Sequence, residues 1–367
     1  MNKIEFGDCR EIMKRWIDEG VKIQTCITSP PYYGLRDYGT ATWEGGDINC
    51  DHKNAKMKSR YDYPMQEGSR HAKIAETTKG TDGARWHDEC PDCGAIKIDN
   101  QIGLEQSVDD YVNNMVEVFR LVKDILSDDG TLWLNLGDTY SDTRWSSGGG
   151  QIMNKNKDEH RSLQHQKNTG LPSKNLIGIP WKVAFALQAD GWILRQDIIW
   201  QKPNPMPESV RDRCTKSHEY IFLLSKSPQY YFDHVAIKEP SVNPESYKGR
   251  RKRSSMTEQS EIIMDKFGAT RSGFKNIEEG KTYPTRNKRD VWSVNVRPYK
   301  GAHFATYPTA LIEPCILAGS RKNDIVFDPF MGSGTTAQVA LQHGRQYLGC
   351  ELNKEYEKLQ QERINNG

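Results

Sequence analysis

The sequence has no apolar run approaching the roughly 20 residues that a membrane span needs. Its start, MNKIEFGDCREIM, carries an early acidic residue and no apolar leader segment. Both absences argue against spanning and exported classes and imply a cytoplasmic protein. No glycine-rich loop is followed by Gly-Lys-Ser/Thr, which excludes a P-loop nucleotide site. Net charge is nearly absent too. A value of +2 over 367 residues singles out no partner. Disorder is excluded by composition, with 27% charged and 10% aromatic residues.

What is present is unevenly placed. Residues 241–300 hold 14 Lys/Arg against 7 Asp/Glu, so a basic segment sits on a mildly acidic body. That pattern suits either a polyanion-facing surface or a solvated loop. Lys3–Phe6 and residues 23–27 read as strands, separated by a helix over Cys9–Asp18 that carries Ile12, Met13 and Trp16 on one side. Residues 41–100 lose all periodicity. Order returns at Ser107-Val-Asp-Asp110, a capping pattern ahead of a helical apolar stripe that should stop at Asp128-Asp129-Gly130. Thr131–Leu136 reads as a buried strand. After an irregular stretch over 141–175, a helix starts near Pro180 and ends before Gly191. Strands follow at 193–200, 219–224, 324–327 and 346–350, with a helix over 335–343 between the last two. Alternating strands and helices imply an α/β fold with a mainly parallel sheet covered on both faces.

Two strand exits carry chemistry. Thr28-Ser-Pro-Pro-Tyr-Tyr33 leaves the strand at 23–27 through two prolines, which cannot continue a central strand. It fixes Ser29, the Pro30 carbonyl and Tyr32 in a stiff turn. The second exit, DIVFDPFMGSGTTAQVA, is a strand, a loop and a helix, and Gly332-Ser-Gly334-Thr-Thr-Ala337 fits a nucleotide-binding pattern. Glycines let backbone approach a ligand, the helix start offers free N–H groups, and Glu351 ends the next strand where an acid can accept from ribose hydroxyls. A dinucleotide site fits the spacing. Such sites usually open a fold, however, whereas this one closes it.

TSPPY followed by FDPFMGSGTT resembles the S-adenosylmethionine-dependent amino-methyltransferases of DNA, in the order of their β group. Phe6-Gly7-Asp8, Asn135-Leu-Gly-Asp138, His218–Ser227 and His303–Pro308 resemble further segments of that family. The resemblance implies a Rossmann-like methyltransferase core over 1–40, 100–240 and 300–367, with a seven-stranded-type sheet. It implies that Ser29 and the Pro30 carbonyl accept the N–H groups of a target amine, that Pro31 stiffens the turn, and that Tyr32 stacks on a base flipped out of double-stranded DNA. It places Asp8, Asp328, Phe330, Gly332, Gly334, Thr335 and Glu351 on the cofactor, with His303 as a further contact. Ser29, where the family's adenine enzymes more often carry Asp or Asn, points to N4 of cytosine ahead of N6 of adenine. A non-catalytic DNA-binding module of the same fold is the rival reading, and a separate cognate restriction endonuclease is a partner in keeping with the class. The basic segment 241–300 becomes the expected recognition region, with Arg250–Arg253, Lys288 and Arg289 facing phosphates. The polar loop 141–175 is expected on DNA as well.

Of eight cysteines, Cys9, Cys26, Cys214, Cys315 and Cys350 are scattered and read as ordinary thiols. Cys50-Asp-His52 and Cys90-Pro-Asp-Cys93 bracket the polar insertion 41–99 and form a plausible structural zinc set, with His71 or His87 as substitutes for His52. A segment with so few apolar residues needs such a staple.

Overall fold

The computed structural model describes residues 1–34, 38–52, 55–57, 85–86, 89–141, 169–241, 284–296 and 307–365. The chain divides into two compact units, one formed by residues 1–232 and 290–367 and the other by 233–289.

In the larger unit, strands β1 (Lys3–Phe6), β2 (Ile23–Thr28), β3 (Leu126–Leu136), β4 (Ile193–Gln201), β5 (His218–Ser225), β6 (Val291–Ser293), β7 (Ile325–Asp328) and β8 (Gln346–Glu351) form one sheet. Their spatial order is β1-β8-β7-β2-β3-β5-β4-β6. Only β5 runs against its neighbours, β3 and β4. This is the expected mainly parallel sheet, with β6 added as an eighth strand at one edge. Every residue of β2 is buried, as befits a parallel strand covered on both faces.

Helix α2 (Val108–Ile125) packs against both α1 (Cys9–Asp18) and α3 (Ile179–Ala189). Likewise α5 (Thr335–Gln342) packs against both α4 (Thr309–Gly319) and α6 (Glu357–Asn365). Local chemistry accounts for the helix starts. Asp8 accepts the Arg10 amide at 2.8 Å and Ser107 accepts that of Asp110 at 3.1 Å, satisfying N–H groups that a helix start leaves open. Asp138 does the same for α3 from outside, accepting the amides of Gly178 and Ile179, each at 3.0 Å.

One helix end differs from the sequence reading. The chain leaves α2 at Ile125 and is already strand at Leu126, so Asp128-Asp129-Gly130 lies inside β3. Leu126 is fully buried and pairs with Ile23 ahead of a register shift. Gly130 permits this, because a Cβ there would sit 2.8 Å from the Gln24 carbonyl oxygen.

In the insertion, Thr42–Glu44 pairs antiparallel with Ile96–Ile98. In the smaller unit, Glu239–Pro240 pairs with Thr285–Arg286, and the Glu239 carboxylate holds Arg286 at 2.8 Å and Arg289 at 3.0 Å. Arg289, expected on phosphate, is therefore already ion-paired. Arg250–Arg253, His71, His87, His303 and most of the 141–175 loop lie outside the described residues. Among the described residues no helix is long and apolar enough to cross a membrane.

Candidate active site

Strand order reverses between β7 and β2, since the chain passes from β2 to β3 on one side and from β7 to β8 on the other. Open α/β sheets bind ligands in the crevice outside the carboxyl ends at such a point. Here a cavity of about 420 Å³ opens there, and both strand exits face it.

Glu351, Gly332, Phe330 and Thr335 line one part. Gly332 holds φ +54°, and its amide donates to Glu351 Oε2 at 2.7 Å. Glu351 Oε1 accepts the Asn353 amide at 2.8 Å. Burial pushes the Glu351 carboxyl up to about 7, partly offset by these amides. Asp8 also lines the wall, but its carboxylate caps α1 and grips the Arg10 guanidinium at 2.6 Å.

Two expected cofactor contacts lie elsewhere. Asp328 is 1% exposed and does not reach the cavity lining. Its Oδ1 accepts from the Thr28 hydroxyl at 2.6 Å and the Phe330 amide at 3.0 Å. Its Oδ2 accepts from Tyr307 at 2.9 Å and Thr336 at 2.6 Å. Burial raises its carboxyl above the usual range, against these donors. Asp328 is thus a tie beneath both loops. Gly334 likewise stands behind the wall as the N-cap of α5, at φ +86° and close to Gln360.

Ser29, Pro30, Pro31 and Tyr32 all line the cavity. Tyr111 donates to the Pro31 carbonyl at 3.0 Å and so clamps the turn from α2. A Cβ on Gly137 would sit 2.5 Å from the Tyr32 ring, so glycine there lets the ring pack against the end of β3.

Several site residues were assigned no role from the sequence, although Asn135 and Glu219 lie in segments that resemble the family. Asn135 from β3 and Glu219 from β5 meet the Tyr32 phenol, Lys202 after β4 pairs with Glu219, and Trp200 lines the same wall. Each looks like an ordinary strand residue until the strands are placed side by side. The C-terminal helix also braces the glycine loop. Gln360 donates to the Gly332 carbonyl at 2.7 Å and Arg363 to the Ser333 hydroxyl at 2.6 Å.

In the insertion, the four cysteine and histidine residues come together, with their donor atoms all within 4.8 Å of one another. The ring of Trp43 stacks on His52 at 4.7 Å. Gly46, at φ +70°, leaves room for Cys93 Sγ, which a Cβ would approach to 2.7 Å.

A parallel-sheet fold with a glycine loop and a proline-stiffened hydroxyl turn on one cavity defines the α/β methyltransferase class. The chain belongs to the DNA methylase family of N6 and N4 methyltransferases, whose match covers residues 23–362. It is a DNA amino-methyltransferase. The Type II methyltransferase M.SmaI of Serratia marcescens is 40% identical over 366 residues, 99% of this chain and 90% of the relative. M.Cfr9I of Citrobacter freundii is 38% identical, covering 95% of this chain and 83% of the relative. Among solved structures, the PvuII DNA methyltransferase (cytosine-N4-specific) superposes with a TM-score of 0.51 at 14% identity. It covers 99% of this chain and 86% of that one, a likeness of fold.

Proposed function

We propose that the protein methylates N4 of a cytosine turned out of duplex DNA, with S-adenosylmethionine as methyl donor. It would serve in the cytoplasm as the modification partner of a separate Type II restriction endonuclease. The observation that carries this reading is that Ser29-Pro30-Pro31-Tyr32 and the glycine loop open onto one cavity.

The cavity's donor set fits that cofactor. Each Glu351 oxygen accepts one amide and keeps lone-pair capacity for a ribose hydroxyl. Gly332 offers bare backbone, Phe330 and Thr335 a mixed wall, and Asp8 stands beside them. When bound, S-adenosylmethionine supplies an electrophilic methyl group on a sulfonium.

An exocyclic amine is a poor nucleophile because its lone pair is delocalised into the ring. Ser29 Oγ and the Pro30 carbonyl accept its two N–H groups and so favour a more tetrahedral nitrogen. Tyr32 offers a ring face to the base. Orientation of this kind is much of what such a transfer needs. The amine of a paired base is out of reach in the stack, so the base must be extruded at a cost of about a few kcal/mol, offset by stacking and edge contacts. Tritiated methyl transfer to DNA tests the activity. Mass spectrometry of digested nucleosides tests the target: N4-methylcytosine supports the reading, and N6-methyladenine as sole product overturns it. Sequencing of modified bases in DNA from expressing cells maps the recognition site.

The same reading makes the basic segment 241–300 the DNA recognition region and gives the insertion 41–99 a structural zinc on Cys50, His52, Cys90 and Cys93. Zinc–ligand bonds of about 2.0–2.3 Å in a tetrahedron put donors about 3.5–3.8 Å apart. Cys50 Sγ and Cys90 Sγ stand 3.9 Å apart, and Cys93 Sγ and His52 Nδ1 3.6 Å. Four protein ligands leave no open position for chemistry. Metal analysis should find one zinc per chain, and Cys90→Ser should lose it, loosening the insertion while the main sheet stays folded. Pure protein without stoichiometric zinc would refute this assignment.

A further inference from the structure

We propose that Glu219 is a positioning residue that turns the Ser29 hydroxyl into a pure acceptor toward the target amine. The inference rests on the reading that Ser29 accepts an amine N–H.

A serine hydroxyl is ambivalent, since it can accept from an N–H or donate to a nitrogen lone pair. Donation to the amine would tie up the lone pair that must attack the methyl group. A carboxylate in the same place would carry no such risk. The structure shows how the hydroxyl's proton is drawn elsewhere. Ser29 Oγ donates to the Tyr32 phenol oxygen over 3.4 Å. That phenol has Glu219 Oε2 at 2.8 Å and Asn135 Oδ1 at 3.2 Å. Its single proton goes to the nearer, charged acceptor.

Asn135 cannot reverse the chain. Its Nδ2 donates to the Tyr220 carbonyl at 3.0 Å and faces Glu219 Oε2 at 3.4 Å, which fixes its oxygen toward Tyr32. Lys202 ion-pairs with Glu219 Oε1, and its ammonium lies 4.3 Å from the Trp200 ring centroid. The ion pair is shielded, with side chains 19% and 15% exposed, so a cation sits against Oε1 while Oε2 faces Tyr32. A negative charge at Glu219 therefore orders two hydroxyl protons in series, and both lone pairs of Ser29 remain for the cavity. Two strands and the end of a third, which meet only in the folded sheet, supply Asn135, Glu219 and Lys202. The pair Ser29 and Glu219 thus does together what a single carboxylate in the turn would do alone.

The test is a set of mutant cycles on duplex DNA carrying the mapped site, with cofactor affinity measured by titration. Glu219→Gln keeps size and removes the charge. It should lower kcat by about tenfold or more while the cofactor KM stays within about twofold. Ser29→Ala should cost at least as much. The double variant should be no slower than Ser29→Ala alone within about twofold, because Glu219 acts through Ser29. Tyr32→Phe removes only the linking oxygen and keeps the ring, and it too should be non-additive with Ser29→Ala. If Glu219→Gln loses cofactor binding, the Tyr32→Phe and Ser29→Ala cycle decides. Full additivity in that cycle, or an unchanged kcat in a folded Glu219→Gln, overturns the proposal. If Ser29→Ala itself keeps full activity, the failure lies in the underlying reading of Ser29 instead.

Discussion

The turn after β2 is stiffened by two prolines, whereas the turn after β7 is opened by two glycines. The strands are parallel neighbours and both turns face one cavity. The proline turn presents side chains: a hydroxyl and a ring held by partners from β3 and β5. The glycine turn presents backbone, with Glu351 and α6 holding its amides and carbonyls in place. The difference follows from the ligands proposed for each. A base amine is gripped by oriented acceptors, while a nucleoside is approached closely by bare backbone. Asp328 joins the two, taking Thr28 from one strand and Phe330, Thr336 and Tyr307 around the other.

Cutting that joint should have the largest effect. Asp328→Ala leaves three hydroxyls and an amide without their acceptor, and should lower unfolding free energy by about 3 kcal/mol. Thermal unfolding measures it, and both cofactor binding and methyl transfer should fall together. Asp328→Asn, which keeps shape and one acceptor, should lose less.

Breaking the proline turn alone should separate the two functions. Ser29→Ala should cut kcat about tenfold or more with cofactor affinity within about twofold. Equal losses in both would erase the contrast between the turns.

On the glycine side, Glu351 adds a pH signature. Its folded carboxyl titrates near 7 against an ordinary 4.5, so the folded protein holds the extra proton between those values. Stability of the unliganded protein should therefore decline as pH rises through that window and level off above it. Cofactor affinity should move oppositely, strengthening toward about pH 7, because ribose hydroxyls donate to the carboxylate. Glu351→Gln should weaken binding about tenfold and flatten the profile, read by calorimetry across pH. Arg363→Ala should have the smallest effect, a cofactor Kd raised about threefold with kcat unchanged, because it removes only the outer brace on Ser333.

Both turns were legible in the sequence because proline and glycine act on their own backbone. The strands and helices around them were legible for the same local reasons, with a cap at Ser107 and buried stripes along the helices. What stayed hidden is non-local. α4, TALIEPCILAG, is apolar but for Thr309 and Glu313 and has Pro314 inside it, so it offers little periodic contrast. α6 shows its purpose only once Gln360 and Arg363 reach the loop. Asn135 and Glu219 on strands and Lys202 just past one are polar residues whose partners come from other parts of the chain. Asp328 shows the limit of spacing. Its position beside the glycines is visible in the chain, but the direction of its side chain is set by Thr28, Tyr307 and Thr336. In the insertion, the cysteine spacing was visible, while the pairing of Thr42–Glu44 with Ile96–Ile98 had no periodicity behind it.

The Thr28–Asp328 bond joins residues 300 apart in sequence. On the ribosome, the proline turn therefore emerges long before the strand that locks it. Until β7 and β8 follow, β2 has no neighbour on one side, and an all-buried IQTCIT segment stays open to nascent-chain helpers or to misassembly. Contacts this distant slow folding as well. Competence to methylate should thus arrive late in biogenesis and in a single step, with no active fragment along the way.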